Sequence, residues 1–206
     1  MRDMQTDAML TLKREAACYE LARDDASLSR LMPRLVRYDE NRHVIIVDLM
    51  MPGLGGLEVL VNNAGVFTPH PITETTYEEW QRAWHDTLAV NLLGAANATW
   101  CAVPHIIEAG GGRIVNVSSR GAFRGEPRSP AYGASKAALV AFGQSLARAL
   151  GPHRIAVTTV APGWTDTDMA AESIREIGRA EMASSFPLGR IGLPEDVAGA
   201  TCFLLS

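Results

Sequence analysis

Three residues of this 206-residue chain have the types and spacing to move a proton to or from a substrate oxygen. They lie in the stretch S-S-R-G-A-F-R-G-E-P-R-S-P-A-Y-G-A-S-K, where Ser119 precedes Tyr132 by 13 residues and Lys136 follows Tyr132 by four. Four residues are about one helical turn, so a helix beginning near Tyr132 puts both side chains on one face. There the Lys136 ammonium stabilises the Tyr132 phenolate and draws down a phenol pKa whose ordinary value is about 10. A phenol lowered in this way is a usable general acid near neutral pH. Ser119 follows a strand-like run, and at the C-terminal end of a parallel strand its hydroxyl hydrogen-bonds a substrate oxygen. With four Tyr and two Lys in the chain, coincidence supplies roughly 0.04 such Tyr/Lys pairs. The pair is suggestive alone, and its surroundings decide its meaning.

From residue 56 onward, short β-branched runs alternate with longer helical stretches, the pattern of an α/β fold with a mostly parallel sheet. Leu57–Val61, Arg113–Val117 and Ile155–Val160 carry apolar residues in succession rather than at alternate positions (Val59–Val61, Ile114–Val115, Ile155–Val157), as central parallel strands covered on both faces should. Thr76 followed by Glu79 reads as a capping box opening a helix through Trp80, Trp84 and Leu88. A second helical segment runs from about Leu93 to Glu108 and ends at Gly110–Gly112. After Ser119 comes a loop rich in Gly, Arg and Pro, then a helix of small residues from Ala134 to Leu150, closed by Gly151 and Pro152. The first 55 residues differ: helical periodicity around Met9, Leu12, Ala16 and Leu21, a segment broken by Pro33, then one strand, Val44–Val47.

Four further motifs accompany the Ser/Tyr/Lys set: N-N-A-G at Asn62–Gly65 after a strand, N-L-L-G at Asn91–Gly94 within a helical stretch, A-P-G-W-T-D-T-D-M at Ala161–Met169 after a strand, and L-P-E-D-V-A at Leu193–Ala198. In this order the motifs resemble the short-chain dehydrogenase/reductase family over residues 56–206. The resemblance implies a Rossmann-like, doubly wound parallel sheet and an NAD- or NADP-dependent oxidoreductase interconverting a ketone and a secondary alcohol. By the same resemblance Asn91, Ser119, Tyr132 and Lys136 form the catalytic tetrad, with Asn91 the water-holding member. Asn63, Ala64 and Gly65 pass the cofactor's adenosine half, with Asn63 its contact. Tyr132 and Lys136 reach the nicotinamide ribose, and Pro162, Gly163, Thr165 and Thr167 line the nicotinamide. Trp164 and residues 169–188 fit a mobile substrate lid, although an amphipathic surface helix accounts for the same pattern. Family members pair through the helices beginning near Leu93 and Ala134, so a homo-oligomer, dimer or tetramer, is expected.

The chain departs from this family at both ends. No Gly-rich strand-to-helix turn precedes Asn62, and Gly53, Gly55 and Gly56 lead into a strand, so they lack the geometry of a phosphate cradle. The expected architecture is therefore one domain over residues 1–206, with an atypical segment 1–55, an incomplete or altered first βαβ unit, and a catalytic portion 56–206. Ser206 falls before the last strand and Gly-rich tail of the family. A cofactor-free relative with a binding or assembly role is the alternative that the missing turn leaves open. Val44–Leu60 also resembles the phosphoacceptor strand and loop of a receiver domain. Asp48 then has three readings: a strand-terminal cap, an adenosine ribose contact, or a phosphoacceptor remnant.

Bulk properties narrow the partners. A net charge of −4, with 17 Arg and two Lys scattered along the chain, gives no broad attraction to nucleic acid or anionic lipid. No apolar run approaches a membrane span, and Arg2, Asp3 and Asp7 do not fit a signal peptide, so a cytoplasmic protein acting on a small carbonyl or alcohol is expected. Cys18, Cys101 and Cys202 suit reduced packing residues better than disulfides, and the five His share no metal-ligand spacing, so no metal is expected.

Overall fold

Consecutive branched residues build the sheet on which everything else rests. The computed structural model describes residues 57–206 in full, and the backbone of residues 34–39 and 44–48. The helical readings around residues 9–21, the break at Pro33, Cys18, and Gly53, Gly55 and Gly56 lie outside the described residues. Strands β1 (Arg34–Asp39) and β2 (Val44–Asp48) pair antiparallel, with an irregularity between Leu35 and Arg37. The sequence reading contains β2 but not β1, because Arg34, Arg37 and Asp39 interrupt its apolar pattern. Among the described residues, then, an antiparallel pair precedes the parallel sheet in the chain.

The parallel sheet is β3 (Val59–Asn62), β4 (Gly112–Val117) and β5 (Ile155–Val160), in the order β3-β4-β5. Between β3 and β4 the chain makes helix α1 (Tyr77–Leu88), a π-helical turn (Ala89–Gly94) and helix α2 (Ala95–Glu108) without a break. The Thr76/Glu79 capping box is formed: Glu79 N–H donates to Thr76 Oγ1 at 3.3 Å and Thr76 N–H to Glu79 Oε2 at 3.0 Å. Instead of a fresh helix near Leu93, the backbone widens into a π turn, a feature common at functional sites. It carries Asn91. After β4 come α3 (Gly121–Arg124) and α4 (Pro130–Leu150). After β5 follow α5 (Ala171–Ile177), α6 (Arg179–Ser184) and α7 (Pro194–Leu205). No helix among the described residues is long and apolar enough to cross a membrane.

Register arranges the sheet in rows. Leu60 pairs with Ile114 and Ile114 with Val157. That row faces α2 and α4 through a core of Leu60, Ala102, Ile106, Ile114, Leu150 and Ile155. Burying such side chains stabilises by about 1.5–3 kcal/mol each. One row nearer the C-terminal strand ends the character turns polar: Asn62 pairs with Asn116, and Asn116 with Thr159. Asn62 Nδ2 donates to Asn116 Oδ1 at 2.8 Å and to Thr99 Oγ1 on α2 at 3.1 Å. Gly143 of α4 lies over this row, where a Cβ would stand 2.8 Å from Asn116 Nδ2, so only glycine lets the helix approach. Alternation along β4 sends Arg113 to the opposite face. There its guanidinium donates to the carbonyls of Leu205 and Ser206 at 3.1 and 2.8 Å, tying α7 to the sheet. Helices cover both faces, as the consecutive apolar residues implied. Cys101 and Cys202 do not pack inside: both thiols are free and exposed, Cys101 beside the exposed Trp100.

Candidate active site

The C-terminal end of β4 meets the first turn of α4, and the two are fastened directly. Ser118 N–H donates to the Val160 carbonyl at 2.8 Å, extending the ladder past the strand, while Ser118 Oγ donates to the Lys136 carbonyl at 2.8 Å. Ser119 therefore emerges at a fixed point, its Oγ accepting the Gly121 N–H at 3.1 Å. Helix α4 begins at Pro130 rather than Ala134, because proline suits the first helical position, where no N–H partner is needed. This places Tyr132 and Lys136 in its first two turns.

Lys136 is 4% exposed, and its Nζ donates to the Val117 carbonyl at 2.8 Å and sits 5.8 Å from the Tyr132 ring centre. Its remaining N–H groups have no partner among the described residues. Burial pushes its pKa down to about 8. The expected depression of the Tyr132 pKa is not found. Burial pushes that phenol up, a hydrogen bond with Ser119 opposes the rise, and the Glu126 carboxylate adds to it. Lys136, brought down to about 8 by its own burial, gives up its proton before a phenol titrates, so it offers little charge to the phenolate and desolvation prevails.

Asn91 is fully buried in the π turn. Its Oδ1 accepts the Val66 N–H at 2.7 Å, and its Nδ2 donates to the Val66 carbonyl at 3.1 Å and to Ser135 Oγ at 3.0 Å. Both amide hydrogens are thus engaged with protein groups, and the N-N-A-G turn is pinned to α4. Within that turn Asn63 is exposed and Ala64 half-buried. A Cβ on Gly65 would stand 3.3 Å from Lys136 Nζ and 3.5 Å from Asn91 Oδ1. Bareness at Gly65 allows the turn to lie against the lysine.

The segment after β5 completes one wall. The Pro162 carbonyl accepts the Arg120 N–H at 2.8 Å, which holds residues 162–167 beside Ser119. Gly163 lies against the Phe186 ring, where a Cβ would be 2.8 Å from an edge carbon. Thr165 Oγ1 donates to the Gly163 carbonyl at 3.2 Å, and Thr167 Oγ1 to the Thr165 carbonyl at 3.4 Å. Residues 164–166 are bound along Gly192, whose N–H donates to the Trp164 carbonyl at 2.9 Å. Residues 169–188 fold as short helices, with Ala170 and Met182 buried beneath them.

Of the expected site residues, Gly65, Asn91, Tyr132 and Lys136 are brought together where β4 meets α4, with Ser119 at the end of β4 and residues 162–167 following β5. Asp48 ends β2, and its side chain lies outside the described residues. Two participants escape a reading by motif. Phe67 meets the Tyr132 ring edge-on at 5.0 Å and faces Trp164 at 6.4 Å, forming an aromatic wall. His70, one of the five His that share no metal-ligand spacing, is 2% exposed and accepts the Ala131 N–H on Nε2 at 3.1 Å. Neither has a periodic or spaced signature; the one available cue is that both closely follow N-N-A-G. Among the described residues no group of three or more His, Cys, Asp or Glu is placed to hold a metal.

A family model described as enoyl-(acyl carrier protein) reductase matches residues 15–206. The 3-oxoacyl-(acyl-carrier-protein) reductase FabG of Thermotoga maritima is 37% identical over 161 residues, 78% of this chain and 63% of its own length. A 3alpha-hydroxysteroid dehydrogenase of Mediterraneibacter gnavus is 36% identical over 182 residues, 88% of this chain and 70% of its own. Among solved structures, ElxO with NADP bound superimposes with a TM-score of 0.66 at 30% identity, covering 75% of this chain and 62% of that one. A Brucella melitensis short-chain dehydrogenase/reductase, also described as a glucose/ribitol dehydrogenase, gives 0.66 at 32% identity, covering 76% and 60%. The chain spans less than two thirds of the length of the Thermotoga reductase. With motif order, sheet topology and these likenesses in agreement, this chain belongs to the short-chain dehydrogenase/reductase family.

Proposed function

We propose that this chain is an NAD(P)-dependent oxidoreductase that interconverts a small ketone and a secondary alcohol, with Tyr132 as general acid and base. The observation that carries the reading is the buried Lys136 ammonium beside the Tyr132 ring, with N–H donors to spare. A buried cation with unfilled donors is costly unless a ligand completes it. The hydroxyls of a nicotinamide ribose fit that requirement, and the bare Gly65 fits close passage of a dinucleotide. Lys136 and Tyr132 would hold the ribose, Asn63, Ala64 and Gly65 the adenosine side, and Pro162, Gly163, Thr165 and Thr167 the nicotinamide. When bound, the nicotinamide supplies or accepts the hydride.

The chain's own groups do the rest. Ser119 donates a hydrogen bond to the substrate oxygen and fixes it against the phenol. Tyr132, held protonated by burial, delivers its proton to that oxygen in the reductive direction and receives one in the oxidative direction. Asn91 keeps the Val66 backbone and α4 in register, and the Phe67/Trp164 wall excludes water on one side. Relatives named for 3-oxoacyl, hydroxysteroid and hydroxycyclohexanecarboxylate substrates set the panel of carbonyl compounds to assay. The exposed Trp100 and Leu93 support pairing of copies through α2 and α4 as a dimer or tetramer. Cytoplasmic residence completes the proposal.

A second reading rests on a specific observation. Neither the sequence before Asn62 nor the described residues contain a Gly-rich strand-to-helix turn to take a pyrophosphate. A relative that binds no dinucleotide and serves in assembly would look the same there. Thermal denaturation with NADH and with NADPH separates the two, since a ligand at 100 times its Kd stabilises by about 2.7 kcal/mol. The oxidoreductase reading expects a shift with one of them, kept in Tyr132→Phe while turnover is lost. No shift with either nucleotide favours the assembly role.

A further inference from the structure

We propose that His70 is a positioning residue that sets the place of the Tyr132 phenol, by acting as an imported N-cap for helix α4; this rests on the acid/base role of Tyr132 given above. Helix α4 has the usual unpaired N–H groups in its first turn. Its own N-cap residue, Ser129, makes no side-chain capping bond, and the buried Ser129 hydroxyl has no partner among the described residues. The Ala131 N–H is fully buried, so leaving it without an acceptor would cost about 1–3 kcal/mol. His70 supplies the acceptor from 61 residues away: Nε2 takes the Ala131 N–H at 3.1 Å.

The imidazole has one tautomer that satisfies its surroundings. Nε2 accepts from an N–H and so carries no hydrogen, while Nδ1 lies 2.7 Å from the Thr68 carbonyl and therefore donates to it. A second bond runs in parallel, from the His70 N–H to the Arg128 carbonyl at 2.7 Å. The Trp80 ring meets the imidazole edge-on at 5.5 Å and fixes its plane. Residues 68–70 are thereby stitched to residues 128–131, one residue before Tyr132. Phe67, at the start of the same segment, is the ring that abuts the phenol. One imidazole thus holds both the backbone that carries Tyr132 and the aromatic wall that keeps it from water.

The test reads Tyr132 itself, with no cofactor or turnover needed. Tyrosinate absorbance near 295 nm is titrated for the native chain and for Tyr132→Phe, and the difference isolates Tyr132 from Tyr19, Tyr38 and Tyr77. His70→Ala should admit water and lower the Tyr132 midpoint by about half a pH unit or more, toward the ordinary phenol range. His70→Gln, whose Oε1 can take the Ala131 N–H, should return the midpoint to the native value. Where His70→Ala does not fold, His70→Asn replaces it: its shorter amide reaches the Thr68 side but not Ala131, so its midpoint should fall like that of the alanine variant. An unmoved midpoint in the alanine or asparagine variant overturns the proposal, as does a glutamine variant that falls with them. A merely structural His70 would lower the melting temperature and leave the midpoint of the folded molecules in place. Failure of the oxidoreductase reading shows separately, as absence of a nucleotide-induced thermal shift.

Discussion

Lys136 donates its Nζ–H to the Val117 carbonyl at 2.8 Å, and this bond across the seam of α4 and β4 is made by a cation held down to a pKa of about 8 by burial. The native state therefore prefers a neutral lysine, whereas the unfolded chain keeps its proton up to about 10.5. Below about pH 8 both states are protonated and the native state bears the full cost of the buried charge. Between about 8 and 10.5 the native state releases its proton first, so stability from this group rises with pH. Lys136→Met should thus be more stable than the native chain at pH 7, by on the order of 1 kcal/mol, or roughly 2–4 °C in Tm. That gap should close between pH 8 and 10.5, and turnover should be lost. Melting curves at pH 7, 9 and 10 check it; a gap that does not narrow with pH would falsify the assignment.

Tyr132 shifts in the opposite sense, and its direction sets a rate profile. Because burial raises the phenol pKa, the acid form persists through neutral and mildly alkaline pH. Carbonyl reduction should be flat through neutrality, and alcohol oxidation should climb with pH as phenolate forms. Glu126 contributes to the rise through its charge. Glu126→Gln should accordingly move the alkaline limb of oxidation to lower pH by a few tenths of a unit, roughly the effect of one partly screened charge. Initial rates of alcohol oxidation from pH 7 to 11 measure this. A limb that stays put would show that the charge does not reach the phenol.

What the sequence disclosed and what it hid divide along a physical line. The strands β3, β4 and β5, the Thr76/Glu79 capping box and the Ser119/Tyr132/Lys136 set were legible because each depends on residues near one another in the chain. Strand β1 was not, since Arg34, Arg37 and Asp39 mask its pattern. The sign of the Tyr132 shift was hidden too. Spacing brings Lys136 to the right face, but whether its charge or the loss of water dominates depends on how deeply α4 packs on β4. His70 and Phe67 act on residues about 60 positions away, and no local rule connects a histidine to a helix start at such a distance.

Asn91 offers a test of the turn that faces Lys136. Its three hydrogen bonds join Val66 to Ser135, and truncation leaves the Val66 N–H and carbonyl without partners in a part-buried place. Asn91→Ala should cost about 3 kcal/mol, or roughly 6–12 °C in Tm, through groups left unpaired. Gly65→Ala should do something different. A Cβ there would press on Lys136 Nζ at 3.3 Å, whose flexible stem can give way, so folding should fall by less than about 1 kcal/mol while nucleotide affinity suffers. Calorimetry of unfolding and nucleotide titration together distinguish the two variants. Equal losses of stability would mean that the turn is a single packing unit rather than a clamp on the lysine.

A last relationship joins the loop before α4 to the segment beyond β5. Arg128 donates from a guanidinium nitrogen to Glu176 Oε2 on α5 at 2.8 Å, with both side chains largely in water. An exposed pair of this kind contributes under about 1 kcal/mol to stability and is screened by salt. Its interest lies in what it connects, since the Arg128 carbonyl also accepts the His70 N–H one turn before Tyr132. Glu176→Gln should leave the Tm within about a degree of native, yet raise KM for the carbonyl substrate about two- to fivefold at low salt, by releasing α5 from the loop before α4. At 0.5 M salt, where the Debye length is only about 4–5 Å, the native and variant KM should converge. Steady-state kinetics at the two salt concentrations decide it: identical KM values at low salt would mean that α5 does not gate the site through this pair.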